Sequence, residues 1–328
     1  MFKKKILVIQ TAFIGDAILA TSVLEKLHQH FASAKIDFFI RKGNEGLFEG
    51  HPFINHLYVW DKKGGKYKNL LSILKKVRNE DYLYVINLQR YLSTGVFTAF
   101  SRGGKKFGFE NNPFSFSFDK KFPHDMNSGK HEVERNQSLI TAITNETPAV
   151  PKLYPSAAHF ENVQKYKSTP YVCISPASVW FTKQFPENKW IELIKKLDSK
   201  YKIYLLGGPV DKQVCENLRR KSVSPRTFNL AGKLNLLESA ALMKDAAMNY
   251  SNDSAPLHLA SAMDAPITSV FCSTIPEFGF GPLSENSKII EIEEKLDCRP
   301  CGLHGKRACP KGHFKCATGI KIEDLLFD

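Results

Sequence analysis

Residues 252–258, Asn-Asp-Ser-Ala-Pro-Leu-His, follow an apolar run and begin a segment of helical character. Where a strand turns sharply into a helix, free backbone N–H groups and the positive end of the helix dipole point to one place, which favours phosphate binding. Ser254 can cap such a helix, and Pro256 suits its first turn. His258 can donate a hydrogen bond to a phosphate oxygen. The alternative is an ordinary capped helix with a buried histidine.

A carboxylate occupies the corresponding turn in the first half of the chain. The apolar residues 6–9 predict a strand, and Gly15 and Asp16 begin the helix that follows. A dinucleotide site would need Gly-x-Gly-x-x-Gly at this turn, so the single glycine argues against nicotinamide or flavin binding. Asp16 is therefore either a cap that the helix dipole stabilises or a general base that takes a proton from an acceptor hydroxyl.

Three further elements in the second half of the chain are compatible with a bound diphosphate. Ser175 ends an apolar strand, and Thr182 and Lys183 precede a helix. A lysine can reach a diphosphate as a point charge. Gly207 and Gly208 end the next strand, and adjacent glycines let the backbone approach a ligand closely. An ordinary polar turn explains each element alone, but together with the segment described first they indicate a phosphate site.

Four cysteines lie close together in a basic loop at 298–316. Such a cluster is one pattern of a structural zinc site, although a single C-x2-C pair has the usual spacing. The alternatives are packed free thiols or a disulfide, which a reducing cytosol disfavours. The zinc ligands of this hypothesis are Cys298, Cys301, Cys309 and Cys316. The cysteines predicted to lie in the core are Cys173, Cys215 and Cys272.

A scaffold of alternating strands and helices must position these residues. In the first half, strands are predicted at 6–9, 36–40, 57–60, 82–88 and 106–109, and helices at 15–30, 67–77 and 131–144. In the second half, strands are predicted at 171–175, 203–207, 227–230, 248–250 and 267–271, and helices at 187–197, 211–219, 236–244 and 257–263. This alternation is typical of parallel, doubly wound α/β sheets. Residues 109–125 are predicted to form a mobile loop.

A proline-rich break at 148–155 divides the chain. We therefore expect two Rossmann-like domains, 1–155 and 156–328, of which the second ends in the cysteine-rich loop. Sheets of this kind bind ligands at the carboxyl ends of their strands, so a cleft between the domains is the expected site.

The composition narrows the functional class. The 46 Lys and Arg residues outnumber the 33 Asp and Glu residues, which gives a formal net charge of +13. This charge suits nucleic acid, an anionic membrane surface or an acidic substrate, but the lack of a long basic arm argues against a dedicated nucleic-acid binder. No apolar run approaches the ~20 residues of a membrane-spanning helix. Residues 1–9 mimic a signal peptide, but Gln10, Thr11 and Asp16 interrupt the apolar part, so we expect a cytoplasmic protein.

Several of these segments, in this order, resemble glycosyltransferase family 9, the lipopolysaccharide heptosyltransferases. The matching segments are 6–16, Phe107-Gly108-Phe109, 131–136, 182–186, Gly207-Gly208-Pro209 and 252–258. The resemblance implies a GT-B fold, in which the second domain binds a nucleotide-sugar donor, usually ADP-heptose, and the first domain binds the acceptor. It also implies transfer with inversion and without a required cofactor or metal.

The same resemblance implies roles for individual donor-site residues. Asp16 would be the general base of the transfer. Lys183 and His258, with the N–H groups near residues 254–255, would stabilise the charge that grows on the departing diphosphate. Asp253 would fix the turn or bind a sugar hydroxyl. The complete donor-binding set would be Ser175, Thr182, Lys183, Gly207, Gly208, Asp253, Ser254, Ala255 and His258.

The resemblance also implies an acceptor site. The sequence differs from the family pattern at three positions. Arg135 and Asn87 would contact an acidic glycolipid, phosphorylated or carboxylated, at the cytoplasmic face of the inner membrane. The family usually has glycine where Ala255 stands, which makes the approach to phosphate tighter. Asn87 stands where relatives often carry aspartate. The ribose-binding acid of the family has no clear counterpart, and Asp211 is one candidate.

Two other functional classes stay open. A sugar-nucleotide epimerase on the same architecture would need further acids at the donor site and no separate acceptor. A basic, zinc-containing nucleic-acid-binding protein would bind oligonucleotides tightly, with a steep salt dependence. That class ranks last, because the sequence contains no visible platform of aromatic and basic residues.

Overall fold

The structure, a computed structural model, describes residues 4–327. The chain divides into two compact units, the first ending at Tyr154 and the second beginning at Pro155. The domain prediction places this boundary one residue later, and the residues 1–3 and 328 that it includes lie outside the described chain. Within the described residues, no helix is long and apolar enough to span a bilayer.

The first unit is a six-stranded parallel sheet with helices. Its strands are β1 (Lys5–Gln10), β2 (Lys35–Arg41), β3 (Ile54–Trp60), β4 (Tyr82–Asn87), β5 (Lys105–Phe109) and β6 (Lys120–Phe122). Its helices are α1 (Ile14–Leu19), α2 (Thr21–His30), α3 (Lys66–Val77), α4 (Leu92–Phe100) and α5 (Glu132–Ser138). The strand order is β3-β2-β1-β4-β5-β6, so the order reverses between β1 and β4.

The second unit repeats this architecture. Its strands are β7 (Tyr171–Ser175), β8 (Lys202–Leu205), β9 (Thr227–Asn229), β10 (Met248–Asn252), β11 (Ile267–Phe271) and β12 (Ser287–Glu291). Its helices are α6 (Ala157–Gln164), α7 (Glu187–Leu197), α8 (Lys212–Ser222), α9 (Leu236–Lys244), α10 (Ala255–Ala262) and α11 (Lys315–Thr318). The strand order is β12-β11-β10-β7-β8-β9, so the order reverses between β7 and β10.

The central strands explain the continuous apolar runs of the sequence. Every residue of β7, β10 and β11 is buried, as is nearly every residue of β1. A parallel sheet is covered by helices on both faces, so its inner strands need no polar face. The prediction of two parallel α/β sheets is confirmed, and each sheet has one reversal point, the position at which open α/β sheets commonly bind ligands.

The sequence analysis missed five elements of the structure. These are the helices α4, α6 and α11 and the short outermost strands β6 and β12. Residues 92–100 mix β-branched and aromatic residues with Gly95, so their helix propensity is weak. Outermost strands carry little apolar sequence because one side faces solvent, and β12 is mostly exposed.

Two predicted segments also change character. The mobile loop predicted at 109–125 is wrong, because it contains β6 and because Asn112 Nδ2 donates to the carbonyls of Gln89 and Tyr91 at 2.9 and 3.2 Å. The helix predicted at 15–30 divides at Ala20 into α1 and α2. There, the hydroxyls of Thr21 and Ser22 donate to carbonyls of the preceding turn, a competition that bends helices.

Candidate active site

Asp16 lies in the first turn of α1, just beyond the carboxyl end of β1. Because β1 and β4 are the strands at which the order reverses, this is the edge at which sheets of this type commonly bind ligands. Asp16 Oδ2 accepts a hydrogen bond from the N–H group of Phe13 at 3.2 Å. The side chain therefore caps α1 and at the same time remains partly exposed.

The surroundings of Asp16 raise its pKa from 3.8 to about 6. Burial is the main cause and the negative charge of Glu132 is the second, whereas the N–H group of Phe13 and the charge of Arg90 oppose the rise. A carboxylate with a pKa near the working pH can accept a proton from a hydroxyl group efficiently. The capping role and the general-base role are therefore compatible in one side chain.

Glu132, whose charge acts on Asp16, is itself held in the ionised form by its neighbours. Its Oε2 accepts from Arg135 Nε at 2.8 Å and lies 3.2 Å from His124 Nε2. Although burial opposes ionisation, these two neighbours keep the pKa of Glu132 below its usual range. No sequence motif marked Glu132 as a neighbour of Asp16, because the two residues are more than a hundred positions apart and meet through the fold.

The two residues predicted to contact the acceptor are both buried. Arg135 is 3% exposed and, besides Glu132, its guanidinium donates to the carbonyl of Lys130. Asn87 is 0% exposed; its Nδ2 donates to Thr98 Oγ1 at 3.0 Å, and its Oδ1 accepts from the N–H group of Gln89 at 2.9 Å. These contacts give both residues a positioning role, and direct contact with an acceptor stays a prediction.

A basic pocket that the sequence analysis missed lies at the carboxyl ends of β2 and β3. Its volume is about 310 Å³, and it is lined by Arg41, Lys42, Gly43, Trp60, Asp61, Lys62 and Lys63. Lys62 Nζ donates to the carbonyl of Thr11 at 2.6 Å, and the Arg41 guanidinium lies 4.9 Å from the Phe13 ring. Because Thr11 and Phe13 belong to the segment that leads from β1 to Asp16, the pocket adjoins the candidate base.

The surroundings in this pocket also change the pKa of Lys62. Burial is the main cause that lowers the pKa of Lys62 to about 8, and the charges of Arg41 and Lys66 add to it. A further anion in the pocket would therefore relieve repulsion among the cations. The sequence signal for this site was present, since pairs of basic residues follow two predicted strands.

In the second unit, Asn252 connects the segments at the carboxyl edge of the sheet. It ends β10 and is fully buried; its Oδ1 accepts from the N–H group of Phe185 and its Nδ2 donates to the carbonyl of Pro176, each at 2.8 Å. Ser175, at the end of β7, is 3% exposed. The predicted donor segments after β7 and β10 therefore meet at the reversal point of the second sheet.

Lys183 and Asp253 form an ion pair at this edge. Lys183 Nζ lies 2.6 Å from Asp253 Oδ2, which also accepts from Thr274 Oγ1 at 2.6 Å. The two ionised side chains are 15% and 9% exposed, so the protein rather than solvent sets their positions. Asp253 thus fixes the turn and orients the ammonium group, which has three N–H donors and uses one of them here.

The segment 252–258 adopts the predicted strand-to-helix turn. Ser254 occupies the N-cap position of α10, but its side chain does not cap the helix; it donates to the carbonyl of Asn252 at 3.4 Å. Ala255 is the first helical residue and has a negative φ, the conformation in which alanine can still offer its N–H group. His258 follows one turn later and is 5% exposed. The start of α10 therefore keeps the features of an anion site.

The glycine pair after β8 has a local structural explanation. The N–H group of Gly208 donates to Asp211 Oδ2 at 2.8 Å. A Cβ atom on Gly207 would lie 2.7 Å from Asp211 Cβ, so the close approach of Asp211 requires this glycine. A Cβ atom on Gly208 would meet the same carboxylate at an ordinary 3.6 Å. Asp211 caps the turn, and its contact with a ribose stays a prediction.

The cysteines divide into two groups. Cys173, Cys215 and Cys272 are free and buried, as predicted for core residues. In the loop at 298–316, three free thiols line a cavity of about 260 Å³, and the fourth is buried nearby. Among residues 4–327, no group of three or more His, Cys, Asp or Glu side chains is placed to hold a metal ion, so the structure does not support the zinc prediction. The thiols concerned are Cys298, Cys301, Cys309 and Cys316.

The family profile and similar proteins of known name all point to the same family of glycosyltransferases. The sequence profile of glycosyltransferase family 9 (heptosyltransferase) matches residues 70–308. Lipopolysaccharide heptosyltransferase 1 of Campylobacter coli is 25% identical, with 98% of this chain and 97% of that protein covered. Lipopolysaccharide heptosyltransferase 3 of Escherichia coli K12 is 29% identical over 83% of each.

Solved structures share the fold. A family 9 glycosyltransferase from Veillonella parvula superposes with a TM-score of 0.80 at 20% identity, covering 88% of this chain and 85% of that one. The E. coli ADP-heptose lps heptosyltransferase II superposes with a TM-score of 0.75 at 21% identity, covering 90% and 95%. The GT-B fold class is thereby confirmed. Because the family profile spans most of the chain, this protein belongs to glycosyltransferase family 9 and is a glycosyltransferase.

Proposed function

We propose that this enzyme transfers heptose from ADP-heptose to an acidic acceptor of the lipopolysaccharide inner core, with inversion at the anomeric carbon. Membership of family 9 supports the class of reaction, and the relatives named as lipopolysaccharide heptosyltransferases support the sugar and the acceptor. The structural observation that carries the proposal is the carboxylate of Asp16, with a pKa of about 6, at the ligand-binding edge of the first sheet.

In the proposed step, an acceptor hydroxyl oxygen attacks the anomeric carbon of the donor sugar. The bond between that carbon and the diphosphate oxygen breaks, and ADP leaves with the bonding electrons. Asp16 takes the hydroxyl proton as the new bond forms. Without a base, the attacking oxygen would carry positive charge in the transition state, so a base placed to take the proton lowers the barrier. The raised pKa makes Asp16 a stronger base that is still mostly ionised at pH 7.

The leaving diphosphate gains negative charge, and the second unit offers groups that can stabilise it. Lys183 is held at the sheet edge by Asp253, and the N-terminus of α10 presents backbone N–H groups beside it. Fixed positive donors stabilise a developing charge without reorganising at the moment of reaction. We assign this stabilisation to Lys183, His258 and the start of α10, with Ser175 and Thr182 as supporting donor-site residues.

We assign recognition of the acidic acceptor to the basic pocket next to Asp16. The pocket brings together four cations and one carboxylate, and burial, followed by the charges of Arg41 and Lys66, lowers the pKa of Lys62. A phosphate or carboxylate group in this pocket would hold an acceptor hydroxyl near the base. Arg135 would support the same site indirectly, through its bond to Glu132.

We further propose that the enzyme works in the cytoplasm, with the first unit in peripheral contact with the inner membrane. On α3, Tyr67 and Leu71 are 68% and 58% exposed and lie one turn apart. Exposed lysines surround them on the same helix, at positions 66, 68, 75 and 76. A helix with exposed apolar residues among lysines suits an anionic lipid surface, where a glycolipid acceptor resides.

No step of this reaction is assigned to a metal ion, and activity in the presence of EDTA is the expected result. A structural zinc ion on the four loop cysteines stays a separate hypothesis. Metal analysis of protein purified under reducing conditions tests it, because a bound structural ion would appear at one equivalent per chain.

The proposed function is tested with paired substitutions in the two units. Asp16→Asn keeps the shape and the Phe13 hydrogen bond but removes the base, so transfer should fall by about 10²- to 10⁴-fold while ADP affinity is retained. Lys183→Ala should weaken ADP binding by about 10- to 100-fold, the usual range for a charge-assisted hydrogen bond. Wild-type-like transfer by the first variant would refute the role of the base.

A donor screen distinguishes the remaining alternatives. Thermal stabilisation by ADP in preference to UDP and GDP would support the adenine nucleotide. An epimerase would convert a sugar nucleotide when no acceptor is present, and a nucleic-acid binder would bind an oligonucleotide with a steep salt dependence. Either result, without acceptor-dependent release of ADP, would contradict the proposal.

A further inference from the structure

We infer that the cysteine-rich loop, residues 298–316, is a clamp that holds Lys183 in the position from which it binds the donor diphosphate. Gly305 and the backbone of Lys306 are the positioning groups. This inference rests on the proposed role of Lys183 and extends it, because it makes donor affinity depend on a loop that carries no donor-site motif.

The central contact is a pair of reciprocal hydrogen bonds between the loop and Thr182. The N–H group of Thr182 donates to the carbonyl of Lys306 at 3.1 Å, and the N–H group of Lys306 donates to Thr182 Oγ1 at 2.8 Å. Thr182 Oγ1 also accepts from Ser273 Oγ at 2.9 Å, and Thr182 is 1% exposed. The residue next to Lys183 is therefore fixed on two sides by bonds that are shielded from water.

Gly305 packs directly against the lysine. A Cβ atom on this residue would lie 2.9 Å from Lys183 Cγ, 3.1 Å from Thr182 Oγ1 and 3.2 Å from Trp180 Cβ. The φ of Gly305 is +76°, so the backbone is in the left-handed region as well. The missing side chain leaves the space through which the stem of Lys183 passes toward Asp253.

The loop is anchored at its other end to the segment that orients Asp253. Arg299 donates from Nε to the carbonyl of Cys272 and from Nη2 to the carbonyl of Thr274, each at 2.8 Å. The N–H group of Cys301 donates to the carbonyl of Ser273 at 2.9 Å. Since Thr274 Oγ1 bonds Asp253, the loop touches the supports of both members of the Lys183–Asp253 ion pair.

The contacts of the loop converge on the residues that support one ion pair, and this convergence favours a positioning role over a contribution to stability alone. The position of an ammonium group matters for affinity, because a charge-assisted hydrogen bond depends on a short and well-aligned contact. Displacing the stem of Lys183 should therefore weaken donor binding, even though Lys183 itself is still present.

The loop contains a matched pair of glycines for the experiment. Gly312 has a φ of +72°, close to that of Gly305, but a Cβ atom there would meet nothing within 4 Å. Gly305→Ala and Gly312→Ala therefore impose similar backbone strain, and only the first intrudes on Lys183. We expect Gly305→Ala to weaken ADP binding by about tenfold and Gly312→Ala to change it less than about twofold, as measured by calorimetry on the full chain.

A double-mutant cycle separates positioning from general damage. In a Lys183→Ala background, Gly305→Ala should have no further effect on ADP affinity, because the group that it displaces is gone. Thr182→Val should weaken ADP binding as Gly305→Ala does and should likewise have no further effect in the Lys183→Ala background, which distinguishes an effect through Lys183 from a direct donor contact. Thr182→Ser, which keeps the hydroxyl, should retain the wild-type affinity. The KM for the donor should rise in the impaired variants, and the KM for the acceptor should not.

The outcomes separate the clamp from the proposed function. If Lys183→Ala weakens ADP binding but Gly305→Ala matches Gly312→Ala, the clamp is refuted and the donor site stands. If Lys183→Ala leaves ADP affinity unchanged, the donor role of Lys183 fails. Should Gly305→Ala not fold, the Thr182 pair decides the question, and equal affinities of Thr182→Val and Thr182→Ser would overturn the inference.

Discussion

The raised pKa of Asp16 leads to a quantitative prediction for the pH dependence of transfer. With a pKa of about 6, the ionised fraction of Asp16 is about 91% at pH 7 and about 9% at pH 5. If ionised Asp16 is the base, kcat/KM should fall about tenfold between these pH values. A carboxylate at the ordinary value of 3.8 would lose less than about a tenth of its activity over the same range.

Glu132→Gln tests the cause of that raised pKa. Burial of Asp16 is unchanged by this substitution, but the second cause, the negative charge of Glu132, is removed. The pKa of Asp16 should therefore fall, and the pH at which kcat/KM decreases on the acid side of the profile should fall with it. A shift of only half a unit would raise the ionised fraction at pH 5 about 2.5-fold. The glutamine oxygen can still accept from Arg135, which limits the cost of leaving a buried cation unpaired.

The assay is acceptor-dependent ADP release, measured from pH 4.5 to pH 8.5 with saturating donor. ADP affinity measured by calorimetry at each pH serves as the control, since Asp16 and Glu132 lie in the first unit and the proposed donor groups lie in the second. If the activity of the wild-type enzyme does not decrease as the pH falls through 6, Asp16 is not the general base. If Glu132→Gln leaves the pH of this decrease unchanged, the charge of Glu132 does not raise the pKa of Asp16.

Three further predictions concern stability and acceptor binding. The folded-state pKa of Asp16 lies above the unfolded value, so ionising it costs stability as the pH rises from 4 toward 6. Asp16→Asn should therefore raise the free energy of unfolding at pH 7.5 by about 3 kcal/mol, and the gain should vanish below about pH 4. Burial, aided by the charge of His28, lowers the pKa of His51 to about 4, so stability should fall by about 2 kcal/mol between pH 7.5 and pH 5 and His51→Gln should flatten this loss in thermal melts. Lys62→Ala should raise the KM for an acidic acceptor several-fold and leave the donor KM unchanged in steady-state kinetics; an equal rise in both would contradict the assignment of the pocket.

Sequence and structure agree most closely where one local rule governs an element. Helices at 187–197 and 236–244 and strands at 171–175 and 267–271 match the observed bounds, because a clear start signal precedes each of them. A proline precedes both strands and the first helix, and Asn235 caps the second helix. Among the misses, α4 has weak helix propensity and β6 and β12 lie at sheet edges, so packing against the rest of the fold makes them regular. The helices α6 and α11 are only 8 and 4 residues long, too short for a clear apolar period.

In the candidate site, too, local sequence patterns predicted some residues, and only the fold showed the others. Asp16, Lys183 and the segment 252–258 were recognisable because each stands at a strand-to-helix turn, a feature that the sequence displays locally. The partners that tune them were not recognisable. Glu132 adds to the rise that burial causes in the pKa of Asp16, and Thr274 orients Asp253, yet neither is near its partner in the chain.

The sequence by itself therefore determined the family, the two α/β sheets and the types of residue at each strand end, because apolar periodicity and turn chemistry act over a few residues. The tertiary structure alone decided which side chains meet. It buried Asn87 and Arg135, joined Arg41 and Lys62 in one pocket, and brought the loop at 298–316 onto Thr182. Contacts of this kind depend on strand order and long-range packing, which no local pattern encodes.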